Sequence, residues 1–142
     1  MKPLANHILS RAIAIDAPIT NLQLQKIWYF TLGYIINQGD LELAETVFKD
    51  SNLEGWLYGP VVPELYDQYK DFRSTPIHDI GEADSRFEKY NEMIDKLIGF
   101  NPFVLVDMSH THTFWKDNKT NIVEFGQRPS YRFKDLEEVF YV

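Results

Sequence analysis

The sequence predicts a mainly α-helical fold, a compact single-domain helical bundle (residues 1–142) around a buried central helix at about residues 20–37. Apolar residues recur at helical spacing along much of the chain, and helix start signals precede several of these runs. The run from Ile19 to Ile36 is apolar around most of its circumference, which is typical of a helix surrounded by others. A chain of 142 residues is long enough to bury one hydrophobic core.

The first segment predicts an amphipathic helix that stops before Pro18. Its apolar face is formed by Leu4, Ala5, Ile8, Ala12 and Ile15. Pro3 suits the first turn, where a missing backbone N–H costs nothing. His7 falls on the opposite, polar face, where we expect it to be solvated.

The central helix is predicted to begin at Thr20. Thr20 with Gln23 three residues later is the capping-box pattern, in which each side chain satisfies a backbone amide at the helix N-terminus. Gly33 is unfavourable inside a helix by about 1 kcal/mol relative to alanine, so we expect a neighbour to approach closely there. Asn37 and Gly39 suit the end of the helix.

A second dense block, Trp56 to Tyr66, follows residues 40–52, which are compatible with a short helix or an extended connection. Gly59 precedes a proline and is therefore disfavoured in the α conformation. Pro63 suits the first turn of a helix, and Glu64 would face its positive end. The block predicts a rigid Gly-Pro loop leading into a helix at about residues 63–72. The side chains expected to face inward are Leu65, Tyr66, Tyr69 and Phe72.

The remaining elements are shorter. Ser85 and Glu88 form another capping-box pattern, before a helix that Gly99 closes. The apolar face of this helix is formed by Phe87, Tyr90, Ile94 and Leu97. Asn101 followed by Pro102 predicts a further helix start, although the β-branched residues after it would also allow a strand. An irregular C-terminal segment ends in one last short helix, with Leu136, Val139 and Phe140 at helical spacing.

Composition limits the classes of partner. The net charge of -7 argues against nucleic acid and against an anionic membrane, and favours a partner with a basic surface. Without cysteine, neither a disulfide nor a thiolate metal site can form, so a reducing compartment is the simpler expectation. The N-terminus lacks a long apolar run, so we expect no signal peptide and a cytoplasmic location.

Two histidines, His110 and His112, raise the alternative of a small metal-dependent hydrolase. Asp107 or Asp117 could supply a third ligand, but no helical His-Glu-x-x-His pattern accompanies them. The structural interpretation is that His110 ends a helix and packs on Trp115. We favour that interpretation and expect no catalytic residue, metal or cofactor.

Gln23, Gln25 and Lys26, at the start of the central helix, are not explained by core packing. They would meet the loop at Gly59 and Pro60, and this junction could be a recognition edge flanked by aromatic rings. An internal ion pair between Lys26 and Glu64 is the other possibility, and is the one we favour for that lysine.

Both dense blocks resemble the Panacea domain, a family of SocA-like antitoxins that includes phage-associated proteins. The matching residues are Ile19 to Lys26 with Tyr29 and Phe30, and then Trp56, Tyr58 to Glu64 and Tyr66. Ser109 and His110 with Trp115 are similar to a third element of the family. The chain departs from the family pattern at Trp28, where a smaller aliphatic residue is usual, and at Phe114, where proline is usual.

The resemblance implies a non-enzymatic antitoxin that neutralises a cognate protein toxin, encoded by an adjacent gene, through direct contact. A variant of this role is an adaptor that delivers the toxin to a protease. The fold implied is compact and mostly helical. The predicted partner-binding surface comprises Gln23, Gln25, Lys26, Tyr29, Trp56, Tyr58, Gly59, Pro60, Val61, Glu64, Tyr66, His110 and Trp115.

Overall fold

Helices form most of the computed structural model, which describes residues 2–141. The α-helices are α1 (Pro3–Ala14), α2 (Asn21–Asn37), α3 (Leu41–Lys49), α4 (Pro63–Tyr69), α5 (Asn91–Ile98), α6 (Pro102–His110), α7 (Thr113–Asp117), α8 (Lys119–Val123) and α9 (Phe133–Phe140). One 3-10 segment, Lys70–Phe72, follows α4, and another, Ser85–Tyr90, precedes α5. Strand β1 (Glu54–Trp56) pairs antiparallel with β2 (Gly59–Val61). The prediction of a mainly α fold is confirmed.

Helix α2 is the centre of the molecule, as predicted. It packs against α1, α3, α4, α5, α6 and α9 and against β2, and most of its residues are buried. Its start is the predicted capping box: the Gln23 amide donates to Thr20 Oγ1 at 3.2 Å, and the Thr20 amide donates to Gln23 Oε1 at 2.9 Å. Gly33 lies directly beneath the ring of Phe140, so a Cβ at this position would overlap the ring. The close approach expected at Gly33 is therefore confirmed.

The short β1–β2 hairpin is held to the C-terminal part of the chain. Its register places Trp56 opposite Gly59, with Leu57 and Tyr58 in the turn. The Gly55 amide donates to the Pro129 carbonyl at 2.8 Å, and the Tyr131 amide donates to the Leu53 carbonyl at 2.8 Å. The segment predicted to be irregular thus runs beside the hairpin and helps to fix it.

Several local predictions need correction. His7 is buried, because the loop before α5 covers it: its Nε2 lies 2.7 Å from Asn91 Oδ1, and the Asp84 amide donates to its Nδ1 at 2.9 Å. Asp84, and not Ser85, caps the segment that follows, by accepting from the Arg86 amide. Tyr66 was predicted to face inward but is 39% exposed.

Two segments for which the sequence allowed either a helix or an extended structure, residues 40–52 and the segment after Asn101, both contain helices. Residues 41–49 form α3, and Asn101 caps α6 by accepting from the Phe103 amide at 2.9 Å. Within residues 2–141, none of the helices combines the length and the apolar character that a membrane crossing requires.

Candidate functional site

A chain of buried and partly buried hydrogen bonds joins the start of α2 to Val62 and to α4. Asn21 Nδ2 donates to the Tyr66 carbonyl at 3.1 Å and Oδ1 of the same side chain accepts from Gln25 Nε2 at 3.1 Å. Gln25 Oε1 then accepts from the Val62 amide at 2.9 Å. Buried polar groups need hydrogen-bond partners. These contacts therefore explain why a glutamine stands at position 25, which core packing does not explain.

Lys26 completes this junction in a way that contradicts the predicted ion pair. Its side chain is fully buried, and Nζ donates to the Pro60 carbonyl at 2.7 Å. Burial lowers the pKa of Lys26 to about 7, because the charged amine is costly away from water. Glu64 lies on the exposed side of the first turn of α4 and instead faces Lys2, with Oε2 3.4 Å from Nζ. The nearest acceptor for Lys26 is thus a backbone carbonyl.

The third resembling element packs on the same hairpin. Gly59 has φ +105°, and a Cβ there would overlap Ser109 Oγ and lie 3.3 Å from Lys26 Nζ. Trp115 Nε1 donates to the Trp56 carbonyl at 2.8 Å. We define the junction as these buried groups with Asn21, Gln25 and Pro60. It is a structural connection in which all three sequence elements meet.

The two histidines serve different contacts. The His110 ring stacks on Trp115 with 3.7 Å between centroids, as the structural interpretation predicted, and burial lowers its pKa. His112 Nδ1 lies 2.8 Å from the hydroxyl of Tyr29, which is itself buried. Among residues 2–141, no group of three or more His, Cys, Asp or Glu side chains is placed to hold a metal ion.

An open cleft of about 710 Å³ adjoins the junction and shares Asn21, Gln25 and Lys26 with it. We define the cleft by the residues that line it. Its floor includes Gln25, Lys26 and Val61, and the start of α2 contributes Thr20, Asn21 and Leu22. Its walls are Trp56, Leu57, Tyr58, Tyr66, Lys70, Arg73, Ser74, Pro102, Phe103 and Arg128. The cleft therefore draws on elements that are far apart in the sequence.

The aromatic wall of the cleft is ordered by contacts between its own members. The rings of Trp56 and Tyr66 meet edge to face, with centroids 5.0 Å apart. The guanidinium carbon of Arg128 lies 3.7 Å from the Trp56 ring centroid on its face, and Trp56 Nε1 donates to Glu54 Oε1 at 2.9 Å. Such contacts hold large side chains in one orientation before any partner arrives.

Charge in the cleft has one sign. Its charged lining residues are Lys26, Lys70, Arg73 and Arg128, and no Asp or Glu of the described chain lines it. The whole chain, in contrast, has a net charge of -7. The negative net charge of the chain therefore does not describe the cleft, where the charged residues are all cations.

The predicted binding residues separate into two groups. Gln25, Lys26, Trp56, Tyr58, Val61 and Tyr66 line the cleft. Gln23 is used in the cap of α2, Glu64 faces Lys2, His110 stacks on Trp115, and Tyr29, Gly59, Pro60 and Trp115 are buried. The prediction missed Leu57, Phe103 and three of the cations. The sequence predicted a loop near Leu57 but no hairpin, and no local pattern indicated Lys70, Arg73 or Arg128.

Helix α6 adds an apolar surface next to the cleft. Phe103 is 58% exposed and belongs to the cleft, and Val104 and Met108 are exposed further along the helix. With Phe100 just before α6, these residues form what we call the α6 patch. The apolar run Phe103 to Val106 with Met108 covers more than one helical face, which is a sequence signal for such a surface.

Comparison with known proteins gives one relevant similarity. Over 65 residues the chain is 38% identical to a protein named Antitoxin SocA from Caulobacter vibrioides (strain NA1000 / CB15N). That stretch covers 46% of this chain and 32% of the relative, so the chain spans about a third of the relative's length. No family model and no solved structure matches the chain. The resemblance to the Panacea domain stays a prediction.

Proposed function

We propose that this protein is an antitoxin that neutralises a protein toxin by direct contact through the cleft and the α6 patch. The observation that carries the proposal is the similarity of 65 residues to a protein named Antitoxin SocA. The cleft supports a binding role, since it presents aromatic and arginine side chains together. These are the residue types that contribute most binding energy in protein interfaces.

The rigidity of the hairpin also supports a binding role. Trp56 is fixed through its own indole, through Arg128 and through the backbone contact to Trp115. Binding to such a surface orders few additional side chains, so less of the contact energy is lost to entropy. A preformed aromatic wall thus suits stable capture of a partner.

The role proposed here is non-enzymatic. Three of the polar groups that could have suggested chemistry have structural partners: Gln25 binds the Val62 amide, Lys26 binds the Pro60 carbonyl, and His112 binds Tyr29. Side chains occupied in this way are poorly suited to proton transfer with a substrate.

Co-expression with the product of the adjacent gene tests the proposal. We expect that product to arrest growth when expressed alone, growth to recover when this chain is co-expressed, and the two proteins to co-purify. Absence of toxicity, or recovery of growth without a complex, would contradict direct neutralisation. Immunoblotting of the partner distinguishes sequestration, in which its level is maintained, from protease delivery, in which its level falls.

A further inference from the structure

We propose that the cleft binds an acidic segment of the partner protein that also carries aromatic or large aliphatic side chains. This inference rests on the proposed antitoxin function and specifies the chemistry of the partner. It is opposite to the expectation from composition, which favoured a basic partner because the chain is acidic overall. The charged residues of the cleft are cations, whereas the chain as a whole is acidic, and we propose that the partner binds in the cleft.

The exposed cations of the cleft have unused donors. Within residues 2–141, the guanidinium groups of Arg73 and Arg128 make no hydrogen bond or ion pair, while Lys70 Nζ has a single weak ion pair with Asp67 at 4.0 Å. A guanidinium presents a planar fork of N–H groups that matches a carboxylate in two parallel hydrogen bonds. The contact of Arg128 with the Trp56 ring occupies none of the guanidinium N–H groups in a hydrogen bond within the described chain.

Lys26 adds positive charge at the floor of the cleft when it is protonated. Its amine is buried and has the Pro60 carbonyl as its hydrogen-bond acceptor, with no carboxylate within ion-pair distance in the described chain. Interactions between charges are less screened at such a buried site than at the surface. An acidic group in the cleft would therefore be attracted by Lys26 as well as by the exposed cations Lys70, Arg73 and Arg128.

Charge alone does not describe the occupant, because the walls are largely apolar. Tyr58 is 58% exposed and Tyr66 is 39% exposed, and both face the same space as Phe103. A purely acidic segment would leave these rings in contact with water and gain nothing from them. A segment that alternates carboxylates with apolar side chains satisfies both the rings and the cations.

The surrounding acidic surface makes this recognition selective. An acidic segment is repelled elsewhere on a chain of net charge -7 and attracted where the cations are grouped. Screening limits such effects to about 8 Å at physiological ionic strength, so the attraction acts mainly within the cleft. We therefore expect binding to weaken as salt concentration rises.

The test measures affinity between the purified chain of 142 residues and the product of the adjacent gene. The key variant is the double charge reversal Lys70→Glu with Arg73→Glu, and Arg128→Glu is a second variant in a different segment. The matched control is Lys116→Glu with Lys134→Glu, which reverses two exposed lysines outside the cleft. We expect at least a tenfold loss of affinity for each cleft variant and less than a twofold change for the control. Circular dichroism and the unfolding midpoint establish that each variant is folded.

The possible outcomes separate the inference from the function on which it rests. If the wild-type chain does not bind the neighbouring gene product, the proposed function fails and the inference fails with it. If the wild-type chain binds and the folded cleft variants bind equally well, the inference is wrong while the function survives. If the wild-type chain forms dimers that the cleft variants dissociate, the occupant is a second copy of this chain, which also overturns the inference.

Overlapping 15-residue peptides that tile the partner identify the bound segment. We expect the wild-type chain to retain peptides rich in Asp and Glu that contain at least one aromatic or large aliphatic residue, and the Lys70→Glu, Arg73→Glu variant to release them. Retention of basic or uncharged peptides instead would contradict the proposed chemistry.

Discussion

The junction and the cleft meet at one hairpin and share Asn21, Gln25 and Lys26, but the polar groups of the two are used in opposite ways. On the buried side, Lys26, Gln25 and Trp115 are bonded to backbone atoms of the hairpin or of the segment after it. On the open side, Arg73 and Arg128 keep unused donors beside exposed rings. The resembling motifs therefore contribute to both the junction and the cleft, whereas the three exposed cations of the cleft, Lys70, Arg73 and Arg128, lie outside those motifs.

This difference predicts two separable classes of mutant. Substitutions at the junction should change the free energy of unfolding, because they remove partners of buried groups, create steric overlap or remove a buried charge. Substitutions at the open wall should reduce partner affinity and leave the fold intact. Four substitutions, described from the largest expected effect to the smallest, test whether the two sides separate in this way.

Gly59→Ala should have the largest effect. The residue has φ +105°, and its new Cβ would overlap Ser109 Oγ, so backbone strain and overpacking act together. We expect the free energy of unfolding to fall by about 2–4 kcal/mol in urea denaturation. Gly126→Ala is the control, since Gly126 also has positive φ (+65°) but no atom within 4 Å of the added Cβ. Equal losses for the two variants would show that Ser109 does not restrict this position.

Lys26→Met should stabilise the fold at low pH, by about 2 kcal/mol at pH 6, because burial lowers the pKa of Lys26 to about 7. Below pH 7 both the folded and the unfolded chain carry the protonated lysine, and the folded state bears the cost of a buried charge. Between pH 7 and the ordinary lysine value of 10.5, the unfolded chain binds more protons, so wild-type stability rises with pH.

The advantage of the methionine variant should therefore shrink between pH 6 and pH 9. Urea denaturation of both proteins at each pH measures it. A difference that does not depend on pH would mean that Lys26 has an ordinary pKa in the folded state.

Arg73→Gly should have opposite effects on stability and binding. Arg73 has φ +56°, a conformation that glycine adopts without strain. We expect the free energy of unfolding to rise by about 0.5–1 kcal/mol and partner affinity to fall about tenfold. Arg73→Lys is the comparison: it keeps the charge and the strain, and should keep part of the affinity and none of the added stability. If Arg73→Gly lowers both the stability and the affinity, Arg73 supports the fold and its effect on binding is indirect.

Tyr58→Ser should change stability least. Tyr58 lies in the hairpin turn and is 58% exposed, so its removal should alter the free energy of unfolding by less than about 0.5 kcal/mol. Partner affinity, measured by titration calorimetry, should nevertheless fall, because the ring belongs to the cleft wall. Ile80→Ser is the control, since Ile80 is 70% exposed and lies outside the cleft. Equal affinities for the wild-type chain and Tyr58→Ser would exclude this part of the wall from the interface.

The sequence by itself determined the central position of α2 and the starts of α2 and α6. Thr20 with Gln23, and Asn101 before Pro102, act over a few residues, so their effect could be predicted from neighbours in the chain. Apolar periodicity placed α2 at the centre, and Gly33 indicated a close approach that Phe140 makes. The junction between the two dense blocks was also predicted, although the partner expected for Lys26 was wrong.

Tertiary structure alone decided which polar groups meet and which surface stays open. Lys26 and Pro60 are 34 residues apart in the chain. Since every residue has a backbone carbonyl, the sequence does not indicate which one accepts from the lysine. Arg128 approaches Trp56 because the C-terminal segment pairs with β1, and Lys70 and Arg73 reach the same space from the end of α4. Net charge sums over the whole chain, whereas recognition depends on the few charges that folding brings together.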